Sequence, residues 1–272
     1  MKRLLVTFSG SKYDGTTGRT CETAAQFGAD EVRVYDDVWM MAHPHWELNS
    51  WLWKHPGQLM PGGGRNKRGL NWYAFKPVVM IDAMDRFMAD GDVALFLDGD
   101  SYPVSSMAPI FDTAARDDVM FFSSIGHKQR VWCTGDCFRV MGMLGVKALA
   151  AYGARVHLHE APAGCARFFA MKKGPWHVRQ LLAEWLTYTI NPAATTFDPS
   201  ELGPDLEGFE EHRTEQAILS NLVNRYGHKM YRECDDSGEG WDVDRDVMPV
   251  AIFQQVRQGG CVNGIGSRYR NV

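Results

Sequence analysis

Two carboxylates one residue apart close an apolar stretch of the chain. In DVALFLDGDSYPV, Val93 to Leu97 read as a strand buried on both faces, and Asp98 and Asp100 follow on either side of Gly99. An ionised carboxylate costs several kcal/mol to desolvate unless it is paired, hydrogen-bonded or bound to a metal. Two hard oxygen donors at this spacing suit Mg²⁺ or Mn²⁺, which favour carboxylate, water and phosphate oxygens. Gly99 lets the backbone turn so that both acids reach one site. The plainer alternative is a capped turn, since Asp and Gly are ordinary turn residues.

A second acid sits where a helix should bury it. In HRTEQAILSNLVNRYG, spacing at 100° per residue puts Leu219, Leu222 and Tyr226 within about 40° of the direction of Glu215. Glu215 therefore extends the buried stripe into the first turn, where the helix dipole tolerates an acid. Gln216 falls at the rim of that stripe, near Val223. A capping role is the alternative for Glu215. Lys76 precedes the start of another helix, where backbone N–H groups and a cation together make an anion site.

Other candidates carry weaker signals. Trp72 and Tyr73 suit a core as well as a sugar platform, and Arg65, Lys67 and Arg68 form a basic cluster in PGGGRNKRG that could close over a phosphate as a lid. His43 and His45, or His157, His159 and Glu160, could pass for metal pairs. Alternation puts His157 and His159 on one strand face, but no second cluster completes a zinc site. GSKYDGTT superficially resembles a phosphate-binding P-loop, yet Thr16 stands where the lysine belongs. The six cysteines, at 21, 133, 137, 165, 234 and 261, show no double pair of metal-ligand spacing and read as packing residues.

These residues must be held by strands and helices in alternation. KRLLVTFS reads as a first strand, CETAAQFGA as a helix ending near Gly28, and DEVRVYD as a second strand. Residues 36–71, rich in Trp, His, Pro and Gly, read as a long irregular loop. KPVVMIDAMDRFMADG is a helix with Pro77 at its first position, an apolar face of Val79, Met80, Ala83, Met84 and Phe87, and Gly91 as its stop. DVMFFSS is a further strand, and WHVRQLLAEWLTYTI a helix with Val178, Leu181, Leu182 and Trp185 on its stripe. PAATTFDPSELGPDLEGF is a Pro/Gly/acidic loop before the last helix. The alternation argues for an α/β sheet with helices on both faces, in one domain of two lobes, residues 1–105 and 106–272. Ligands of such sheets bind beyond the carboxyl ends of the strands, which is where Asp98 and Asp100 fall.

Composition narrows the function. The 272 residues carry a formal net charge of -4 and 45% hydrophobic residues, as a globular chain does. There is no basic field to attract nucleic acid or an anionic membrane. No apolar run approaches the roughly 20 residues that span a bilayer. MKRLLVTFSGSK is too brief in its apolar run for a signal peptide, so a cytoplasmic chain with reduced thiols is expected.

Four blocks in order carry a family resemblance. NWYAFKPVVMIDAMDRFMADGDVALFLDGD resembles the glycosyltransferases of the GT-A fold, in which an aromatic-rich helix with Lys-Pro leads into an Asp-x-Asp strand. HRTEQAILSNLVNRYG is similar to a His-Arg-x-Asp-Gln hallmark of one bacterial and viral branch, and VWCTGDCFRVMG and APAGCARFFAMKKGPWHVRQLLAEWLTY resemble its intervening blocks. The resemblance implies a Rossmann-like mixed sheet and a divalent metal, Mn²⁺ or Mg²⁺, on the diphosphate of a nucleotide-sugar. Asp100 would be a direct metal ligand, and Asp98 a ligand of the metal or the ribose. Thr7, Ser9 and Tyr13 would receive the nucleobase and ribose, and Lys76 a phosphate or sugar hydroxyl. Arg213 would bind sugar or phosphate, and His212 the donor, acceptor or metal. Glu215 and Gln216 would lie beside the reacting sugar carbon, and Asp136 would contact sugar or acceptor.

Glu215 stands where the branch usually has Asp. The tail GGCVNGIGSRYRNV lacks the histidine that many members add to the metal, leaving Arg268 and Arg270 as candidates for the diphosphate. The resulting expectation is transfer of a sugar from a UDP-sugar to a saccharide or other hydroxyl, with a preference for retention. Should the enzyme invert, Asp136 or Glu215 would be the base. The alternatives are a sugar-phosphate nucleotidyltransferase, disfavoured by the first loop's lack of a dense glycine-arginine signature, and a binding module that no longer turns over. Oligomeric state leaves no mark in the sequence.

Overall fold

The computed structural model describes residues 1–9, 14–54, 73–149, 154–233, 252–257 and 260–261. Its elements are β1 (Arg3–Ser9), α1 (Asp14–Ala24), β2 (Glu31–Asp36), α2 (Asp37–Ala42), α3 (Pro44–Leu48), α4 (Ser50–Lys54), α5 (Phe75–Phe87), β3 (Val93–Asp98) and β4 (Ser101–Pro103). They continue with α6 (Ala108–Asp117), β5 (Val119–Lys128), α7 (Gly135–Val140), β6 (Val146–Leu149), β7 (Ala154–His157) and β8 (Pro162–Lys172). Last come α8 (Trp176–Thr189), α9 (Pro192–Thr195), α10 (Thr214–Tyr226), β9 (Met230–Arg232), β10 (Phe253–Arg257) and β11 (Gly260–Cys261).

A six-stranded sheet in the order β2-β1-β3-β8-β5-β9 forms the centre. It is mixed: β1 runs parallel to β2 and β3, and β5 to β9, while β8 runs antiparallel to β3 and β5. The expected α/β fold with helices on both faces is what the chain adopts. Strands on both sides of residue 105 share this sheet.

Alternation along the strands assigns the two faces. Leu4, Val6 and Phe8 of β1, with Ala94 and Phe96 of β3, pack against α5, α8 and α10. Leu5, Val93, Leu95 and Leu97 point the other way, to Ile110, Phe111 and Ala114 of α6 and Ala24 of α1. By the same period of two, Asp98 faces the side of α5 and α10. The strand is buried on both faces, which explains its unbroken apolar run.

Several expectations of local structure change. Residues 37–54 are not an irregular loop but three short helices. Their starts are set by the Asp36 carboxylate, which accepts the N–H of Trp39, and by His43, whose Nδ1 accepts the N–H of His45. The remainder of that loop, with Arg65, Lys67, Arg68 and Trp72, lies outside the described residues. Helix α1 begins at Asp14, seven residues before the expected Cys21, and α5 begins at Phe75, so Lys76 lies inside its first turn. His157 ends β7 and His159 sits in a following 3₁₀ turn, so the two do not share a strand face, although their rings lie 5.2 Å apart. Cys133, Cys137 and Cys165 are buried thiols as expected, whereas Cys21 is exposed on α1.

Candidate active site

Lys76 is the point on which the separate motifs converge. The first turn of α5 directs its side chain under the end of β3, and the whole residue is only 2% exposed. Its Nζ lies 3.1 Å from Asp98 Oδ1 and 3.0 Å from Glu215 Oε1. Nζ also donates to Asp98 Oδ2 at 3.3 Å and to the carbonyl of Ala166, on the neighbouring β8, at 3.0 Å. An ammonium has three donors, and here each has an acceptor. The rings of Tyr73 and Phe96 stand 5.0 and 5.5 Å from the same nitrogen.

This arrangement answers what compensates Asp98: a buried cation held by a second buried acid. Burial alone would push the Lys76 ammonium down, but the charges of Asp98 and Glu215 outweigh it and its pKa lies above the ordinary lysine value. For Asp98 burial dominates; Lys76 opposes it, Asp100 and Glu215 reinforce it, and the carboxyl is raised to about 7. The three members differ in access. The Lys76 and Glu215 side chains are 3% and 4% exposed, whereas 18% of Asp98 remains open. Asp98 is thus the member of the group that stays open to solvent.

Asp100 follows in the turn between β3 and β4, half-buried, where its Oδ1 accepts the Ser101 hydroxyl at 3.0 Å. Gly99 has a firmer reason than flexibility. A Cβ there would come 2.4 Å from the carbonyl oxygen of Phe8, so only glycine lets the turn lie against the end of β1. Beyond the turn, α1 holds β4: Thr20 donates to the Ser101 carbonyl at 3.0 Å, and Arg19 stacks on Tyr102 and donates to its hydroxyl.

Glu215 owes its position to α10. Its Oε2 accepts the Thr214 hydroxyl at 2.7 Å, and its backbone carbonyl accepts the Trp185 indole N–H at 3.1 Å. Gln216 is half-buried in the same first turn. The preceding residues are anchored elsewhere. His212 is fully enclosed: its Nδ1 accepts the N–H of Thr134 and its Nε2 donates to the Ala194 carbonyl. Burial holds its imidazole down to about 4, so it is neutral, and both nitrogens serve the backbone instead of a ligand. Arg213 lies 4.4 Å over the Trp132 ring and 3.4 Å from Glu211.

Asp136 also proves to be a clamp. Its two oxygens accept the N–H groups of Glu201 and Leu202 at 2.8 and 2.9 Å, tying the acidic loop to α7. Thr7 is fully buried, and its hydroxyl has no partner among the described residues. Ser9 accepts the Thr17 hydroxyl at 2.8 Å. Tyr13, Arg268 and Arg270 lie outside the described residues. The structure therefore joins Lys76, Asp98 and Glu215, with Asp100 and Gln216 adjoining them in sequence. It turns His212 and Asp136 into supports. Thr214 and Trp185 complete the group, and Thr214 carries no signal in the sequence, because a hydroxyl at a helix start reads as an ordinary cap.

The donors present suit a hard cation in kind, since Asp98 and Asp100 supply carboxylate oxygens. Among the described residues no cluster of three or more His, Cys, Asp or Glu side chains gathers around a metal position. Against known proteins, no family model matches the chain and no curated protein matches it.

Proposed function

We propose that this protein is a metal-dependent glycosyltransferase of the GT-A fold, moving a sugar from a UDP-sugar or similar donor to a hydroxyl of a saccharide or other acceptor. The observation that carries this reading is the contact of Lys76 with Asp98 and Glu215. These residues come from two of the four blocks whose sequences resemble glycosyltransferases, Lys76 and Asp98 from the first and Glu215 from the last. They meet beyond the carboxyl end of a central strand, where ligands of α/β sheets bind. A core built for stability alone gains little from gathering two acids around one buried lysine.

Asp98 and Asp100 would hold Mg²⁺ or Mn²⁺, with water and diphosphate oxygens completing its shell. A divalent ion held there would supply positive charge against the charge gathering on the leaving diphosphate. Lys76 fixes the carboxylates of Asp98 and Glu215 before substrate arrives, so neither must reorganise during reaction. Glu215 and Gln216 stand on the sugar side in this reading, which favours retention. Lys76 contributes orientation and not proton transfer, because its raised pKa keeps it charged.

The test is incubation with a panel of nucleotide-sugars and Mn²⁺, reading free nucleoside diphosphate, for the parent and for Asp98→Asn/Asp100→Asn. The double variant is expected to lose turnover and to bind Mn²⁺ and nucleotide at least about 100-fold more weakly. Unchanged binding by that variant would defeat the proposal. Consumption of nucleoside triphosphates would favour a nucleotidyltransferase, and donor binding without turnover a binding module.

A further inference from the structure

Among the described residues only three non-glycine residues have positive φ: Tyr73 at 55°, Asp118 at 67° and Thr214 at 46°. Asp118 is readily explained. It closes the C-terminus of α6 in the left-handed conformation, which Asp tolerates. The other two lie on opposite sides of one ion pair. Tyr73 precedes α5, accepts the N–H of Lys76 on its carbonyl at 3.1 Å, and sets its ring 5.0 Å from the ammonium. Thr214 opens α10 immediately before Glu215.

Thr214 is the more telling of the two. A β-branched residue at positive φ is a genuine outlier, and so strained a conformation persists only where its surroundings impose it. They do so from both sides. Upstream, His212 is bonded through both ring nitrogens, the N–H of Arg213 donates to the Trp132 carbonyl at 3.0 Å, and its guanidinium lies over the Trp132 ring. Downstream, Trp185 holds the carbonyl of Glu215. Glycine would adopt this backbone without strain, but it has no hydroxyl. The Thr214 hydroxyl donates to Glu215 Oε2 at 2.7 Å while Lys76 meets Oε1, so the carboxylate is gripped at both oxygens.

We propose that Thr214 is a positioning residue whose strained backbone carries its hydroxyl to Glu215 and fixes that carboxylate on Lys76. Stability is given up locally to preset the site. The inference rests on the glycosyltransferase reading for its kinetic consequences, but not for its structural ones.

Thr214→Gly and Thr214→Ser separate the backbone from the hydroxyl. Thr214→Gly should melt close to the temperature of the parent, because the relieved backbone strain offsets the lost hydroxyl bond and the larger entropy of the unfolded chain. It should nevertheless lower kcat for donor hydrolysis at least about 10-fold with KM within about twofold, through loss of orientation alone. Thr214→Ser keeps the hydroxyl and should restore most of kcat. Independently of turnover, the Lys76 ammonium should give a slowly exchanging NMR signal in the parent and Thr214→Ser, broadened or lost in Thr214→Gly.

An unaltered ammonium signal in Thr214→Gly would overturn the proposal. So would a Thr214→Ser variant as impaired as Thr214→Gly, or a Thr214→Gly variant that melts well below the parent. If no nucleotide-sugar is turned over by the parent, the glycosyltransferase reading fails, and the ammonium signal and melting temperature still decide the role of Thr214.

Discussion

Of the polar side chains that helix α10 buries, Glu215 and Asn221 are treated in opposite ways. At its first turn Glu215 is held at both carboxyl oxygens and joined through Lys76 to an acid that remains open on one side. Further along, Asn221 is fully enclosed, and its amide nitrogen lies 3.4–3.7 Å from the sulfurs of Cys133, Cys137 and Met141. Its side-chain oxygen has no partner among the described residues. Burial and a neighbouring thiol push Cys133 well above its ordinary pKa, so that pocket is neutral and soft. The first cluster balances charges at an accessible edge; the second fills space. Buried polarity marks a site where charge is paired and one member is still reachable, and not merely where polar atoms are enclosed.

The largest effect expected is that of Lys76→Met. It leaves Asp98 and Glu215 facing each other without a cation, and should destabilise the protein by about 3–5 kcal/mol, measured by urea unfolding at pH 7. A loss under about 1 kcal/mol would mean that water already balances the two acids, and the contrast with Asn221 would vanish.

Acid should weaken the support of the charged end. His212 is neutral when folded and protonates only near about 4, whereas an unfolded histidine protonates near about 6.5. As pH falls through that interval the unfolded state takes the proton first, so stability drops, by about 3 kcal/mol for this one group. Stability compared at pH 7 and pH 4 in the parent and in His212→Gln isolates this share. Equal pH slopes in the two proteins would refute it.

Asp98→Asn should cost only about 1–2 kcal/mol, because Lys76 keeps Glu215 and the Ala166 carbonyl. Nucleotide-sugar turnover should nonetheless fall sharply. A stability loss as large as that of Lys76→Met would recast Asp98 as a structural support.

The smallest effect is expected at the sealed cluster. Asn221→Leu replaces a half-satisfied amide by an apolar group of similar size, so stability should change by less than about 1 kcal/mol and donor turnover should be unaffected. A large loss of turnover would show that the two ends of α10 act together.

Legibility followed the length scale of the interaction. The apolar run into Asp98, the stripe of α10 and the face of α5 all appear at the expected places, because period and punctuation are local. The inward direction of Glu215 was readable for the same reason. The 37–54 helices were obscured by Trp, His and Pro, whose helix starts depend on the caps of Asp36 and His43. The long strand β8 has no clear signal in the sequence, although it lies at the centre of the sheet between β3 and β5. Small residues such as Ala163, Gly164 and Ala166 give it no strong strand pattern.

The sequence alone therefore determined the alternating α/β character, the strand that ends in two acids, and the burial of Glu215 on its helix. Each follows from side-chain periodicity and turn chemistry within about a dozen residues. Tertiary structure alone decided that Lys76, 22 residues before Asp98 and far from Glu215 in the chain, is their common partner. It also decided that His212 and Asp136 support the backbone. Such contacts are fixed by how sheet and helices close around one core, and a linear pattern cannot specify which distant side chains that closure brings to 3.0 and 3.1 Å of one lysine.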